Sequence, residues 1–234
     1  MKRLHDLQQF YAILGLLEHK LGGMRSLADC NGRMCWPLRG VYFFFESGEI
    51  RRESGAGLRI VRVGTHALTS TSQTTLWQRL SQHRGVNQTG GGNHRGSIFR
   101  RHVGAALIRR DNWSDQIAGT WGQGSSRPTM ITHAEQPLER TVSHYIGQMP
   151  FLWLEVDDAP SATSLRGVIE RNSIALLSNF NASDNPLDPA SPGWLGHWAD
   201  RDTIRQSGLW NVNHVDEVYD PIFLDILEKV VSRI

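Results

Sequence analysis

Residues 40–46, Gly40-Val41-Tyr42-Phe43-Phe44-Phe45-Glu46, form an apolar, aromatic run that predicts a buried β-strand. A second run, residues 58–64, alternates between apolar and polar side chains, and Ser54-Gly55-Ala56-Gly57 supplies turn residues between the two. The two runs therefore predict a hairpin with a long connection. Residues 151–156 are apolar on both faces and predict a third, central strand.

Helical periodicity surrounds these strands. Helices are predicted over residues 4–21, 74–84, 97–109, 138–146, 161–177 and 221–231, whereas residues 86–96 and 111–132 have the composition of loops. The fold class that results is α/β, with a small, mainly antiparallel sheet of three strands flanked by helices. We expect one domain over residues 1–234, with an N-terminal helix before the sheet.

Composition excludes several classes of protein. With 39% hydrophobic residues the chain of 234 residues has enough apolar surface for a core, so wholesale disorder is excluded. No apolar run approaches the roughly 20 residues of a membrane span, and polar residues interrupt the first 20 positions where a signal peptide would be apolar. Two cysteines, Cys30 and Cys35, provide neither a disulfide framework nor a complete zinc site. We therefore expect a soluble, cytoplasmic protein without a membrane partner.

Positive charge is concentrated between residues 54 and 110. This segment contains nine Arg and four His but no Asp, Glu or Lys. Codon bias would explain why Arg outnumbers Lys by 22 to 3 in the whole chain, but it does not explain the missing acids. Because Arg forms bidentate hydrogen bonds with phosphate, this acid-free segment predicts a polyanionic partner.

A constellation of chemically active residues lies on these predicted elements. In chain order it consists of Gly40-Val41-Tyr42, Arg62-Val63-Gly64, Arg79 with His83, Glu170, and Asn181. The first two groups lie on the hairpin strands, Arg79 and His83 on the following helix, and Glu170 on the helix after the third strand. Each group alone is a weak signal, and the order in which they occur makes the set informative.

These residues resemble the motifs of the GIY-YIG nuclease family, and most closely those of its restriction-endonuclease-type members. Gly40-Val41-Tyr42 is similar to the GIY element, and Arg62-Val63-Gly64 to a degenerate YIG element with Arg62 where most members have Tyr. Arg79, Glu170 and Asn181 resemble the helix arginine, the metal-binding glutamate and the later asparagine of the family. The similar core spans about 36–181, with an insert at about 105–149 and a C-terminal extension over 182–234.

The resemblance implies a DNA endonuclease that uses Mg²⁺ or Mn²⁺, with Glu170 as the metal ligand and Gly40, Gly64 and Asn181 in supporting roles. A single carboxylate holds Mg²⁺ while leaving positions for water and phosphate oxygens. Tyr42 can position or deprotonate the attacking water if a cation such as Arg62 stabilises the phenolate, and Arg62 can alternatively bind the scissile phosphate.

Arg79 and His83 complete the predicted catalytic set. Four residues separate them, so they share one side of a helix. Arg79 would neutralise the charge that develops on phosphate, and His83 would donate or accept a proton.

Each of these residues also has a purely structural interpretation. Tyr42 would be a core aromatic residue, Arg79 and His83 a solvated helix face, and Glu170 the ion-pair partner of Arg166 one helical turn earlier. Asn181 would be a turn residue that ends a helix. The joint occurrence of the set in family order favours the functional interpretation.

The acid-free segment supplies the predicted DNA-binding residues. These are Arg84, Arg95, Arg100, Arg101, His102, Arg109 and Arg110. Arg100 and Arg101 are expected to project outward from their helix, and the alternative is an ordinary basic helix face exposed to water. A palindromic DNA target would favour a two-fold homodimer.

Two other functions remain open alternatives: a catalytically silent nucleic-acid-binding protein on the same fold, and a structure-specific nuclease for branched DNA or RNA. The segment Asn211-Val212-Asn213-His214 contains the letters of an HNH-type nuclease but lacks the other ligands of that class. It is therefore given no role.

Overall fold

A computed structural model describes residues 2–182 and 184–234. Met1 and Ser183, the latter in the predicted C-terminal extension, lie outside the described residues. The helices are Lys2–Leu21 (α1), Leu76–Arg84 (α2), Ile98–Asp111 (α3), Asp115–Thr120 (α4), Thr129–Ala134 (α5), Gln136–Gly147 (α6), Leu165–Leu177 (α7), Asp202–Ser207 (α8) and Ile222–Ser232 (α9). The strands are Arg25–Ser26 (β1), Gly40–Ile50 (β2), Leu58–Gly64 (β3) and Pro150–Glu155 (β4).

Within the described residues the strands form one antiparallel sheet of four strands in the order β1-β4-β2-β3. Tyr42 of β2 lies opposite Gly64 of β3 on one side and Trp153 of β4 on the other. The predicted α/β class with a small antiparallel sheet is confirmed, and the predicted count of three strands is wrong by one. The additional strand, β1, has only two residues, which is too short to produce a recognisable alternation.

The sheet is the middle layer between two groups of helices. Val41, Phe43 and Phe45 of β2 belong to a core formed with α1, α7 and α9. The alternate residues Tyr42 and Phe44 belong to a second core formed with α2, α3 and α6. Because both faces of β2 are buried, its sequence is continuously apolar rather than alternating.

Side-chain caps fix the helices that carry candidate site residues. Thr75 precedes α2 and forms a capping box with Gln78, and Ser97 precedes α3 and accepts a hydrogen bond from the Arg100 backbone amide. Both helices lie close to their predicted bounds. The α7 helix begins after the cap Ser164, later than predicted, because residues 161–164 form a turn.

The segment predicted as a loop at residues 111–132 contains two short helices. Both α4 and α5 have six residues and contribute no buried side chain, so their sequences lack the periodicity of a packed helix. The predicted insert at about 105–149 begins inside α3, and α3 packs against α6. These two helices together cover one face of the sheet.

The C-terminal extension covers the outer edge of β3. The Trp210 amide donates to the Val61 carbonyl (2.7 Å), and the side-chain amide of Asn211 makes two hydrogen bonds with the backbone of Val63 (3.1 and 2.8 Å). An uncovered edge strand presents unpaired backbone groups that promote association with other strands. The extension therefore supplies hydrogen-bond partners at this edge of the sheet. None of the described helices is long and apolar enough to cross a membrane.

Candidate active site

A pocket of about 660 Å³ lies beside the end of β3. Its wall contains residues from the region after β3, from α2, α3 and α7, and from the C-terminal extension. They include Arg62, Thr65, His66, Arg79, Gln82, Ile98, His102, Glu170, Arg201, Asn211, Asn213 and His214. Three of the predicted catalytic or metal-binding residues, Arg62, Arg79 and Glu170, thus line one pocket.

Tyr42 and His83 form a buried pair behind this wall. The Tyr42 hydroxyl is 2.8 Å from His83 Nε2, and His83 Nδ1 is 2.8 Å from Ser97 Oγ. Neither Tyr42 nor His83 has any exposed surface. Burial lowers the pKa of His83 well below its usual value, and nearby Arg79, Arg62 and Arg100 lower it further. His83 is therefore neutral, with one ring nitrogen donating and the other accepting.

The two motif glycines allow close packing around Tyr42. Gly64 lies directly opposite Tyr42, and a Cβ atom at position 64 would overlap the phenol ring and its hydroxyl. A Cβ at Gly40 would overlap the Leu154 carbonyl, and the Gly40 carbonyl accepts a hydrogen bond from Thr65 Oγ1 (2.8 Å). Both positions require glycine for steric reasons.

Arg62 lies in the pocket wall, close enough to Tyr42 and His83 for its charge to act on both. Its guanidinium lies over the Phe99 ring, 4.6 Å from the ring centroid, and donates to the Trp210 carbonyl (2.9 Å). Its buried Nε has no hydrogen-bond partner among the described residues. Burial lowers the pKa of Arg62. The nearby Tyr42 counteracts this decrease, whereas the positive charge of Arg79 lowers the pKa further. The result is a buried cation with unused donor capacity at the pocket wall.

Glu170 lies half-buried in the same wall. Its Oε1 accepts a hydrogen bond from the Thr65 amide (3.1 Å). Burial raises the pKa of Glu170, while Arg62, His214 and the Thr65 amide oppose the rise. Arg166 bonds to Asp158 rather than to Glu170, so the ion pair that would have explained Glu170 structurally is not formed.

The donor set around Glu170 fits a hard divalent cation. Among the described residues no group of three or more His, Cys, Asp or Glu side chains is arranged to hold a metal. A metal at this position would therefore be held by the Glu170 carboxylate, with water and phosphate oxygens as its other ligands. Mg²⁺ commonly binds proteins in this way, and Mn²⁺ also accepts oxygen ligands.

Arg79 and Asn181 have different placements. Arg79 lies half-buried in the pocket wall, and its Nη1 donates to Gln82 Oε1 (3.1 Å). Asn181 is exposed, donates to the Asp216 carbonyl (2.9 Å) and does not line the pocket. Asn211 and Asn213 from the C-terminal extension are the asparagines in the pocket wall.

The prediction that Arg100 projects outward is wrong. Arg100 has no exposed surface, and its guanidinium forms hydrogen bonds with both the Glu139 carboxylate (3.0 and 2.5 Å) and the His83 carbonyl (2.8 Å). Arg95 is likewise paired with Glu135 (2.7 and 3.0 Å). The acid-free segment thus finds its acidic partners in a later part of the chain.

The other residues predicted to bind DNA have different local contacts. Arg84 bonds to the Cys30 carbonyl and lies over Trp77, Arg101 is half-buried, and Arg109 donates to the Ala199 carbonyl (2.9 Å). Arg110 is exposed and pairs with the adjacent Asp111. His102 lines the pocket.

Several residues of the pocket wall were not predicted from the sequence. They are His66, Arg201, Asn211, Asn213 and His214. Asp200, which pairs with the wall residue His102, was not predicted either. In the sequence, residues 211–214 were notable only because they contain the letters of an HNH-type nuclease. In the structure, these residues line the pocket. The other residues carry no local pattern that would have identified them.

A sequence model of the GIY-YIG domain matches the chain over residues 1–234, and the chain belongs to this family, which is known for endonucleases. The match includes the predicted insert and the C-terminal extension, in agreement with their packing around the sheet and pocket. Comparison with curated proteins and with solved structures finds no significant match.

Proposed function

We propose that the protein is a metal-dependent endonuclease that hydrolyses phosphodiester bonds in DNA. One observation carries the proposal: in a GIY-YIG chain, Arg62, Arg79 and Glu170 come from three separate segments to line one pocket, with the buried Tyr42–His83 pair close to Arg62. If these residues had only structural roles, nothing would require them to line the same pocket.

Arg62 and Arg79 would bind the scissile phosphate. Arg62 has donor capacity that the described protein atoms do not use, and its burial strengthens an interaction with an anion. Arg79 adds a second guanidinium at the same wall. Fixed cations of this kind stabilise the charge that accumulates on phosphorus oxygens in the transition state.

Glu170 would hold Mg²⁺ or Mn²⁺ through its carboxylate. When bound, the cation supplies charge neutralisation and lowers the pKa of its water. The Thr65 amide fixes the carboxylate by its hydrogen bond to Oε1. Nearby Arg62 also favours the ionised carboxylate, which is the form that binds a cation.

Tyr42 and His83 would handle the proton of the attacking water. If His83 Nδ1 donates to Ser97, neutral Nε2 accepts the hydrogen bond of the Tyr42 hydroxyl. Because Tyr42 is fully buried, this role requires the surrounding side chains to move and admit water. A bound phosphate would compete with the Trp210 carbonyl for Arg62.

Within this function we propose a sequence-specific restriction or defence role, because the motifs resemble the restriction-type members of the family most closely. A structure-specific nuclease would instead prefer branched substrates. Comparison of cleavage on branched and linear duplexes of identical sequence distinguishes the two roles.

The deciding experiment is incubation of supercoiled plasmid with the protein in Mg²⁺, in Mn²⁺ and in EDTA. We expect nicked or linear plasmid with either metal and none in EDTA. The Glu170→Gln variant should bind plasmid without cutting it, whereas Glu228→Gln, at an exposed position on α9, should cut like the parent. Binding without cleavage by the parent protein under all conditions would instead identify a catalytically silent DNA-binding protein.

A further inference from the structure

His102, in the pocket wall, forms a dyad with Asp200 that the proposed mechanism does not use. His102 lies on α3 four residues after Ile98, and both residues line the pocket. Its Nδ1 is 3.2 Å from Asp200 Oδ1, and only 2% of its side chain is exposed. Its buried Nε2 has no hydrogen-bond partner among the described residues.

The chemistry of the dyad determines what Nε2 can bind. Burial would raise the pKa of Asp200, but the hydrogen bond and charge of His102 hold it below its usual value. An ionised carboxylate can only accept, so His102 Nδ1 donates to it. When the ring carries a proton on both nitrogens, Nε2 is a second donor, and the described part of the protein provides no partner for this nitrogen.

The surroundings of Nε2 favour an anionic ligand. Arg201, adjacent to Asp200 in sequence, lines the same pocket as His102 and Arg79. Among the described residues of the wall, Glu170 is the only carboxylate. The pocket therefore contains more cationic donors than one scissile phosphate, bound by Arg62 and Arg79, would use.

We propose that His102 and Arg201 form a second phosphate subsite, which binds a phosphodiester group of the DNA strand in addition to the scissile one. Asp200 is the positioning residue, because it acts through His102. The inference rests on the proposed function for the identity of its ligand. It also gives a role to residues 200–201 of the C-terminal extension, which the sequence motifs leave without one.

DNA binding in EDTA tests the subsite without catalysis. The probe is a short fluorescent DNA duplex, titrated with the full chain carrying Glu170→Gln at several NaCl concentrations. His102→Gln, which keeps a polar side chain of similar length but no charge, should weaken binding about tenfold, as expected for loss of a charge-assisted hydrogen bond. The slope of log K against log[salt] should become about 0.9 less steep.

The remaining variants separate positioning from binding. Arg201→Gln should weaken binding and flatten the salt slope in the same manner as His102→Gln. Asp200→Asn should also weaken binding, but it should add little in a protein that already carries His102→Gln, because both changes remove the same contact. His5→Gln, at an exposed position on α1, should leave affinity and slope unchanged.

A measurement on the unsubstituted protein tests the subsite even if a variant fails to fold. The side-chain nitrogen NMR signal of His102 Nε2 should shift as the duplex is added in EDTA. Saturation with DNA without such a shift, or an unchanged affinity and salt slope in folded His102→Gln, would overturn the subsite. A protein that shows the shift but never cuts plasmid would overturn the nuclease function and leave the subsite supported.

Discussion

The Tyr42 hydroxyl and His83 Nε2 are 2.8 Å apart, although 41 residues separate them in the sequence. Two local features create this contact. Successive side chains of β2 lie on opposite faces of the sheet, and this places Tyr42 on the face covered by α2. The capping box at Thr75 fixes where α2 begins. His83 is then held from its other side by Ser97 at the start of α3. The pair is thus positioned by three elements rather than by one motif.

Tyr42→Phe tests whether this pair serves catalysis. The substitution keeps the buried ring and removes only the hydroxyl, so a structural role predicts a loss of about 1 kcal/mol in stability and nearly normal turnover. We expect instead a roughly 10²–10⁴-fold lower cleavage rate, the usual contribution of a positioned proton-transfer group. Single-turnover cleavage, with thermal unfolding measured alongside, provides the comparison. A wild-type cleavage rate would show that Tyr42 is only a structural residue of the core.

Glu170→Gln should abolish metal-dependent cleavage and leave DNA binding in EDTA intact, because the arginines of the pocket remain. The parent protein should also lose activity as the pH falls, since burial raises the pKa of Glu170 and a protonated carboxyl binds no cation. Cleavage rate against pH, with and without excess Mn²⁺, measures this effect. Full activity in the Glu170→Gln protein would contradict the assignment.

Arg100→Ala should reduce stability rather than DNA affinity. The variant leaves Glu139 buried without the guanidinium that pairs with it, and breaking a buried pair in this way costs about 3–5 kcal/mol. Arg110→Ala, which breaks an exposed pair with Asp111, should cost about 1 kcal/mol or less. Chemical denaturation of both variants gives the comparison. A flatter salt dependence of DNA binding with unchanged stability would show that Arg100 contacts DNA after all.

His66 should make the folded protein sensitive to mild acid. Its Nδ1 bonds to the Thr74 carbonyl (2.8 Å), and burial lowers its pKa to about 4, below the ordinary value near 6.5. The unfolded chain therefore binds an extra proton between those pH values. The free energy of unfolding should fall as the pH is lowered through this window, by up to about 1.4 kcal/mol per pH unit.

The control for this effect is His66→Gln, which cannot titrate. Denaturation of the parent and the variant at a series of pH values gives the free energy of unfolding of each protein. The difference between the two free energies should become smaller as the pH falls. Parallel stability curves for the two proteins would show that His66 does not contribute.

Local sequence patterns predicted the elements that carry the site. The apolar run of β2, the alternation of β3 and the helical periodicity of α2 and α3 are features of neighbouring residues, so they are visible without the fold. The resemblance to family motifs then anticipated that Arg62, Arg79 and Glu170 would meet.

The contacts that were missed are between side chains far apart in sequence. Arg100 and Glu139 are separated by 39 residues, His102 and Asp200 by 98, and Asn211 and Val63 by 148. No periodicity or motif encodes such pairs. The absence of acids between residues 54 and 110 suggested an exposed basic surface, whereas the acids that neutralise Arg95 and Arg100 lie in the sequence just before and within α6.

Because residues 210 and 211 contact β3, the order in which the chain is synthesised affects when the sheet edge becomes covered. The ribosome makes β3 well before these two residues, so a nascent chain has an open sheet edge and an incomplete pocket until they emerge. A product interrupted before residue 210 would lack the carbonyl that holds Arg62 and the amide that covers Val63. Premature termination would therefore leave the edge of β3 free to associate with other strands.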